Sequence, residues 1–115
     1  MHKVTLITSY QVQQTAKVAV GNASQTLSEM GVTISKPATA EGDIPQHPIG
    51  AFITVEDNDV QWGMGAVTNE AGTDVGHEAG AQDIVRLNSK KEVQSAEFIN
   101  KVSGVVANLQ VSVLY

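Results

Sequence analysis

Cysteine is absent, so the chain can form no disulfide, offer no thiolate nucleophile and build no sulfur-ligated metal site. That composition suits folding in a reducing cytoplasm. Positive charge is scarce as well: 7 basic residues stand against 12 acidic ones, for a formal net charge of −5. Nucleic-acid binding needs a basic patch that displaces counterions from phosphates. The only basic doublet, Lys90-Lys91, is followed at once by Glu92. DNA and anionic membranes should therefore repel this chain. Long apolar runs are missing too. No stretch approaches the roughly 18–20 residues of a membrane span, and the start Met1-His2-Lys3-Val4-Thr5-Leu6-Ile7 lacks the apolar core of a signal peptide. Aromatics make up only 4 % of the residues, so a core must be built from Val, Ile, Leu and Ala.

What is present fits one small globular domain over residues 1–115, with 42 % hydrophobic and 17 % charged residues. A chain this short leaves a thin margin of stability, to which self-association would add. Several stretches alternate with the period of two that puts one set of side chains on a buried sheet face. At the C-terminus, Ala107, Leu109, Val111, Val113 and Tyr115 face one way, and Asn108, Gln110 and Ser112 the other. Ala51–Glu56 and Val60–Met64 read as strands, and Asp57-Asn58-Asp59 between them suggests a hairpin. Asp83–Leu87 and Ala96–Asn100 are two further strands, separated by a helical turn that Ser89 would cap.

The first third carries two patterns. Val4, Leu6, Val12, Ala16, Val18 and Val20 fit strands, with residues 1–10 as an N-terminal arm or edge strand. Ala16, Val20, Ala23, Leu27 and Met30 instead follow helical spacing, closed by Gly31. Gly21-Asn22 reads as a turn inside that rival helix, which favours strands up to Val20 and a short helical turn from Ser24 to Met30. Residues 36–50 hold all three prolines, Pro37, Pro45 and Pro48, and form a long loop. Gly65–Ala81, with four glycines, forms a second. The expected fold is all-β, a compact β-sandwich or jelly-roll-like domain with one or two short helical turns.

A survey for chemistry finds little. Glu56, Asp57 and Asp59 offer oxygen ligands, yet lack the glycine and distal glutamate of a calcium loop, and such residues favour solvated turns. His2, His47 and His77 are not paired at ligand spacing, so no metal site is expected. His77 beside Glu78 is a weak candidate for an oriented base, and a loop histidine bonded to backbone is the plainer reading. No serine stands in a Gly-x-Ser-x-Gly elbow, and no glycine loop has the spacing that cradles a phosphate. Trp62 alternates with Val60 and Met64, which points to the core rather than to an exposed platform. No catalytic residue, metal or cofactor is expected, and an enzyme is the weakest reading.

Taken in order, several segments resemble small virion proteins of tailed phages. Residues 19–34, with Gln25-Thr26-Leu27 leading to Gly31, are similar to their N-terminal half. Ala51–Glu56 with Val60-Gln61-Trp62 is similar to their central hairpin, and Gly76-His77 and Gly80, before Ile84 and Leu87, to their glycine-rich turn and next strand. Phe98-Ile99 and Leu109–Tyr115 resemble their last two strands. Gly63 stands where those proteins often carry arginine, and the loop over 36–50 is longer than theirs. The resemblance implies a capsid decoration, or cement, protein on the outer surface of the virion, made in the bacterial cytoplasm. Its partners would be the major capsid protein and further copies of itself, as a homotrimer. Val4, Leu6, Tyr10, Pro45, His47 and Pro48 are the residues expected at an interface. The alternatives are a host-facing head-fibre or carbohydrate-binding module, with Trp62 or Tyr115 exposed in a groove, and a tail or neck component.

Overall fold

The computed structural model describes residues 13–34 and 47–115. The arm expected over residues 1–10, and with it Val4, Leu6 and Tyr10, lies outside the described residues, as does Pro45. The described chain is mainly β. In order it runs β1 (Gln13–Val20), β2 (Gln25–Thr26), β3 (Gly50–Val55), β4 (Val60–Met64), β5 (His77–Ala79), β6 (Ile84–Leu87), α1 (Lys90–Ser95), β7 (Ala96–Asn100) and β8 (Ala107–Leu114).

These strands form two antiparallel four-stranded sheets, ordered β1-β8-β3-β6 and β2-β7-β4-β5. The first strand pairs with the last, the second with the second-last, the third with the sixth and the fourth with the fifth. That is one long antiparallel ribbon wound around itself, and the β3·β8 and β4·β7 ladders close the winding. An eight-stranded double sheet of this kind is a jelly roll. The expected β-sandwich is correct.

β8 lies near the centre of the first sheet because its alternating apolar side chains have partners on both flanks. Leu109 sits between Val18 and Val55, and Val111 between Ala16 and Ile53. Ala107, Leu109, Val111 and Val113 are fully buried against Phe98, Val60 and Ala96 of the second sheet, in one hydrophobic cluster. Leu27 and Val93, from the connections, belong to the same cluster and are equally buried.

The rival helix through Ala16, Val20, Ala23, Leu27 and Met30 does not form. β1 ends at Val20, and the side-chain oxygen of Asn22 takes hydrogen bonds from Asn100 Nδ2 and Gly104 N, which holds the turn. A single helical turn does follow. The Thr26 hydroxyl accepts from Glu29 N at 3.1 Å, and Glu29 Oε1 accepts from Thr26 N at 2.8 Å, the reciprocal capping box. Gly31 closes the turn with φ +95°, while Val32 N reaches Leu27 O and Gly31 N reaches Ser28 O, which is a Schellman ending. Ser89 caps α1 by accepting from Glu92 N, as its sequence suggests.

Two expectations need correction. β3 and β4 are not a hairpin, because they belong to different sheets. Both edges of β3 are already occupied, by β8 and β6, so the next strand has to cross over. Asp57 anchors that crossing: its carboxylate accepts from Asn58 N, Asn108 N and Asn108 Nδ2. These donors, the Asn108 backbone foremost, hold its carboxyl below the usual range. The second correction concerns Gly65–Ala81. It contains β5, and the rest of the connection folds across the outer face of the second sheet. Val67 is thereby buried, and so are the outward-facing Gln61 and Ile99. Asp74 ties this flap down through Lys101 Nζ, at 2.8 and 2.9 Å, and through Gln61 Nε2.

Candidate functional site

Among the described residues the winding leaves two open sides, one between the edges β1 and β2 and the other between β5 and β6. The second side carries a groove of about 410 Å³, within the roughly 300–1,000 Å³ of small-molecule sites. It is lined by Trp62, His77, Glu78, Ala79, Asp83, Ile84, Val85 and Arg86.

Cross-strand register builds the floor. Trp62 on β4 faces Phe98 of β7 on one side and His77 of β5 on the other. Phe98 is fully buried and stacks on the indole, with ring centroids 6.5 Å apart and planes 24° apart. The His77 imidazole, 5.2 Å from the indole at 45°, is exposed. Trp62 therefore grades from core to groove and is half-buried rather than enclosed. The wall comes from β6 and the turn before it. Ile84 is 64 % exposed, although it is aliphatic and lies on a strand. Asp83 accepts from Gly80 N through Oδ2 at 2.8 Å. The Arg86 guanidinium lies 4.9 Å over the Phe52 ring on the outer face of the first sheet, so its charge is turned away from the groove.

Strand geometry also separates the pair His77 and Glu78. Successive residues of β5 point to opposite faces. His77 thus lies beside the indole while Glu78 approaches Lys101 Nζ, at 3.7 Å. No oriented base results from that pair. Ser24 donates to Glu97 Oε1 at 2.8 Å and accepts from Val67 N, a tie between the flap and the sheets. Among the described residues no group of His, Asp and Glu is close enough to hold a metal ion. In the Glu56–Asp59 turn, Glu56 pairs with Lys17 at 3.4 Å and Asp57 is spent on Asn108.

Of the expected interface residues that are described, His47 is exposed and Pro48 is buried, so only the first is available to a partner. Tyr115 is 5 % exposed and donates to Thr33 O at 3.1 Å. It cannot be the exposed aromatic of a groove, and burial pushes its hydroxyl pKa up. A second surface lies at the end of the roll where β7 passes to β8. There the turn Val102–Val105, closed by Val105 N to Val102 O with Gly104 at φ +83°, holds out Val102, Val105 and Val106, each 38–51 % exposed. Asp57, Asn58 and Asp59 border it.

Asp83, Ile84 and Arg86 were not legible as site residues. The one available signal was an isoleucine at an outward position of an alternating strand. In comparisons with known proteins, no family model, no curated protein and no solved structure matches the chain.

Proposed function

We propose that this chain is a capsid decoration protein of a tailed phage, which binds the major capsid protein from outside and stabilises the shell as a homotrimer. The support is the ordered resemblance described above, whose segments fall on successive elements from the end of β1 to β8. The observation that carries most weight is the wound double sheet, which among the described residues leaves four strand edges and several loop tips to meet other subunits. A net charge of −5 suits a site outside the shell rather than against packaged DNA.

The mechanism needs no reaction. Each copy would bridge neighbouring capsid subunits through an interface of about 1,200–2,000 Å² in total, and trimerisation would add avidity. The exposed valines at the β7–β8 turn are suited to the dry centre of such a contact, with Asp57 and Asp59 at its rim. The test is to mix purified protein with undecorated, expanded capsids and measure co-sedimentation and resistance to heat. Saturable binding in hundreds of copies with a raised melting temperature is expected. Absence of binding together with unchanged heat resistance rejects the reading.

A further inference from the structure

We propose that the groove between β5 and β6 binds neutral oligosaccharides, with Trp62 as the stacking floor. The inference is independent of capsid binding and would add recognition of a glycan-bearing surface to a structural role.

A sugar ring presents a C–H face and a rim of hydroxyls, so a site for it needs an aromatic face beside unspent donors and acceptors. The groove supplies both. Its floor is the half-buried indole of Trp62, held from behind by Phe98. Beside it the ring nitrogens of His77 have no hydrogen-bond partner among the described residues, and neither has Asp83 Oδ1, since Gly80 N–H goes to Oδ2. The strand edge adds backbone groups. Val55 N donates to Asp83 O, which directs the Asp83 carbonyl toward β3. By alternation along β6, the peptide groups of Ile84 and Arg86 point to the outer margin, beyond which no strand follows among the described residues. These groups line one shallow groove between the two sheets.

Charge narrows the ligand. Asp83 stands at the groove, Glu78 is turned to Lys101, the Arg86 guanidinium is turned onto Phe52, and the chain carries a net charge of −5. Polyanionic glycans are therefore disfavoured and uncharged hexose or N-acetylhexosamine chains preferred. An extended peptide adding to β6 is the rival occupant. It fits less well, since β6 offers only 4 residues and the groove beside it is floored by an indole.

Trp62 is the single tryptophan, so its fluorescence reports the site directly. The experiment titrates the full chain with maltotriose, cellotriose and chitotriose, with heparin and an extended valine-threonine peptide as controls. A saturable emission change with at least one neutral trisaccharide, half-complete at about millimolar concentration, is expected, with no response to heparin. His77→Ala removes a side chain whose ring packs on the indole, and Asp83→Asn keeps an acceptor for Gly80 N–H. Each should weaken binding about tenfold while the circular dichroism spectrum and melting temperature stay unchanged. The proposal is overturned if none of the three sugars gives a saturable change, if only the peptide or heparin does, or if binding survives both substitutions at full strength.

Discussion

Replacing Phe98 by alanine probes the layer that joins the core to the groove. Phe98 is fully buried, belongs to the central cluster and stacks on Trp62. Loss of a sealed aromatic ring costs about 3–5 kcal/mol, from lost transfer energy plus the cavity left behind. The stacked pair accounts for about 0.5–1.5 kcal/mol of that. A domain of this size has roughly 5–15 kcal/mol in total, so the variant should stay folded at 25 °C with a much reduced margin. At about 4 °C per kcal/mol, the melting temperature should fall by about 12–20 °C. Urea unfolding followed by Trp62 emission and by far-ultraviolet circular dichroism measures the loss. The native emission should also shift to the red, because the indole loses its inner support. A cost below about 1 kcal/mol with an unchanged urea slope would refute the reasoning, since it would mean that the ring is not sealed between the sheets.

Two further outcomes follow from single contacts. At Gly50 an added Cβ would lie 2.7 Å from the backbone oxygen of Leu87, so Gly50→Ala should push β6 away from β3 and cost about 1–3 kcal/mol in urea unfolding. Asp74→Asn should loosen the flap without unfolding the sheets, read as faster amide exchange over residues 67–76 with little change in the melting midpoint. The flap should also respond to pH. Lys101 chiefly, and Gln61 after it, hold the Asp74 carboxyl below its ordinary range. The anchoring is therefore complete above the ordinary carboxylate range and is lost as pH falls through the lowered value. Asp74 in turn raises Lys101, so on the alkaline side the pair persists up to the ordinary lysine range and is lost as pH rises through the raised value. Amide exchange of the flap against pH checks both limbs, and a flat profile contradicts them.

Much of the fold was written locally. β8 could be read from its alternation alone, since any half-buried strand must place every second side chain inward. The capped turn at Thr26–Gly31 and the Ser89 cap were legible because such hydrogen bonds span only three or four residues. The site was legible only in fragments. Trp62 and His77 each stood out, but nothing local indicated that they share a row or that Asp83 and Ile84 border the same groove.

The amino-acid order by itself determined that the chain is β-rich, where most strands run and which of their faces turn inward, because side-chain period and capping chemistry act over a few residues. Tertiary structure alone decided which strands are neighbours. A period of two is the same whichever strand lies alongside, so it cannot tell that β3 is enclosed by β8 and β6 and that β4 must cross to the other sheet. The groove follows from that decision: it exists where β5 and β6 end the two sheets side by side, with partners drawn from positions 62 to 86.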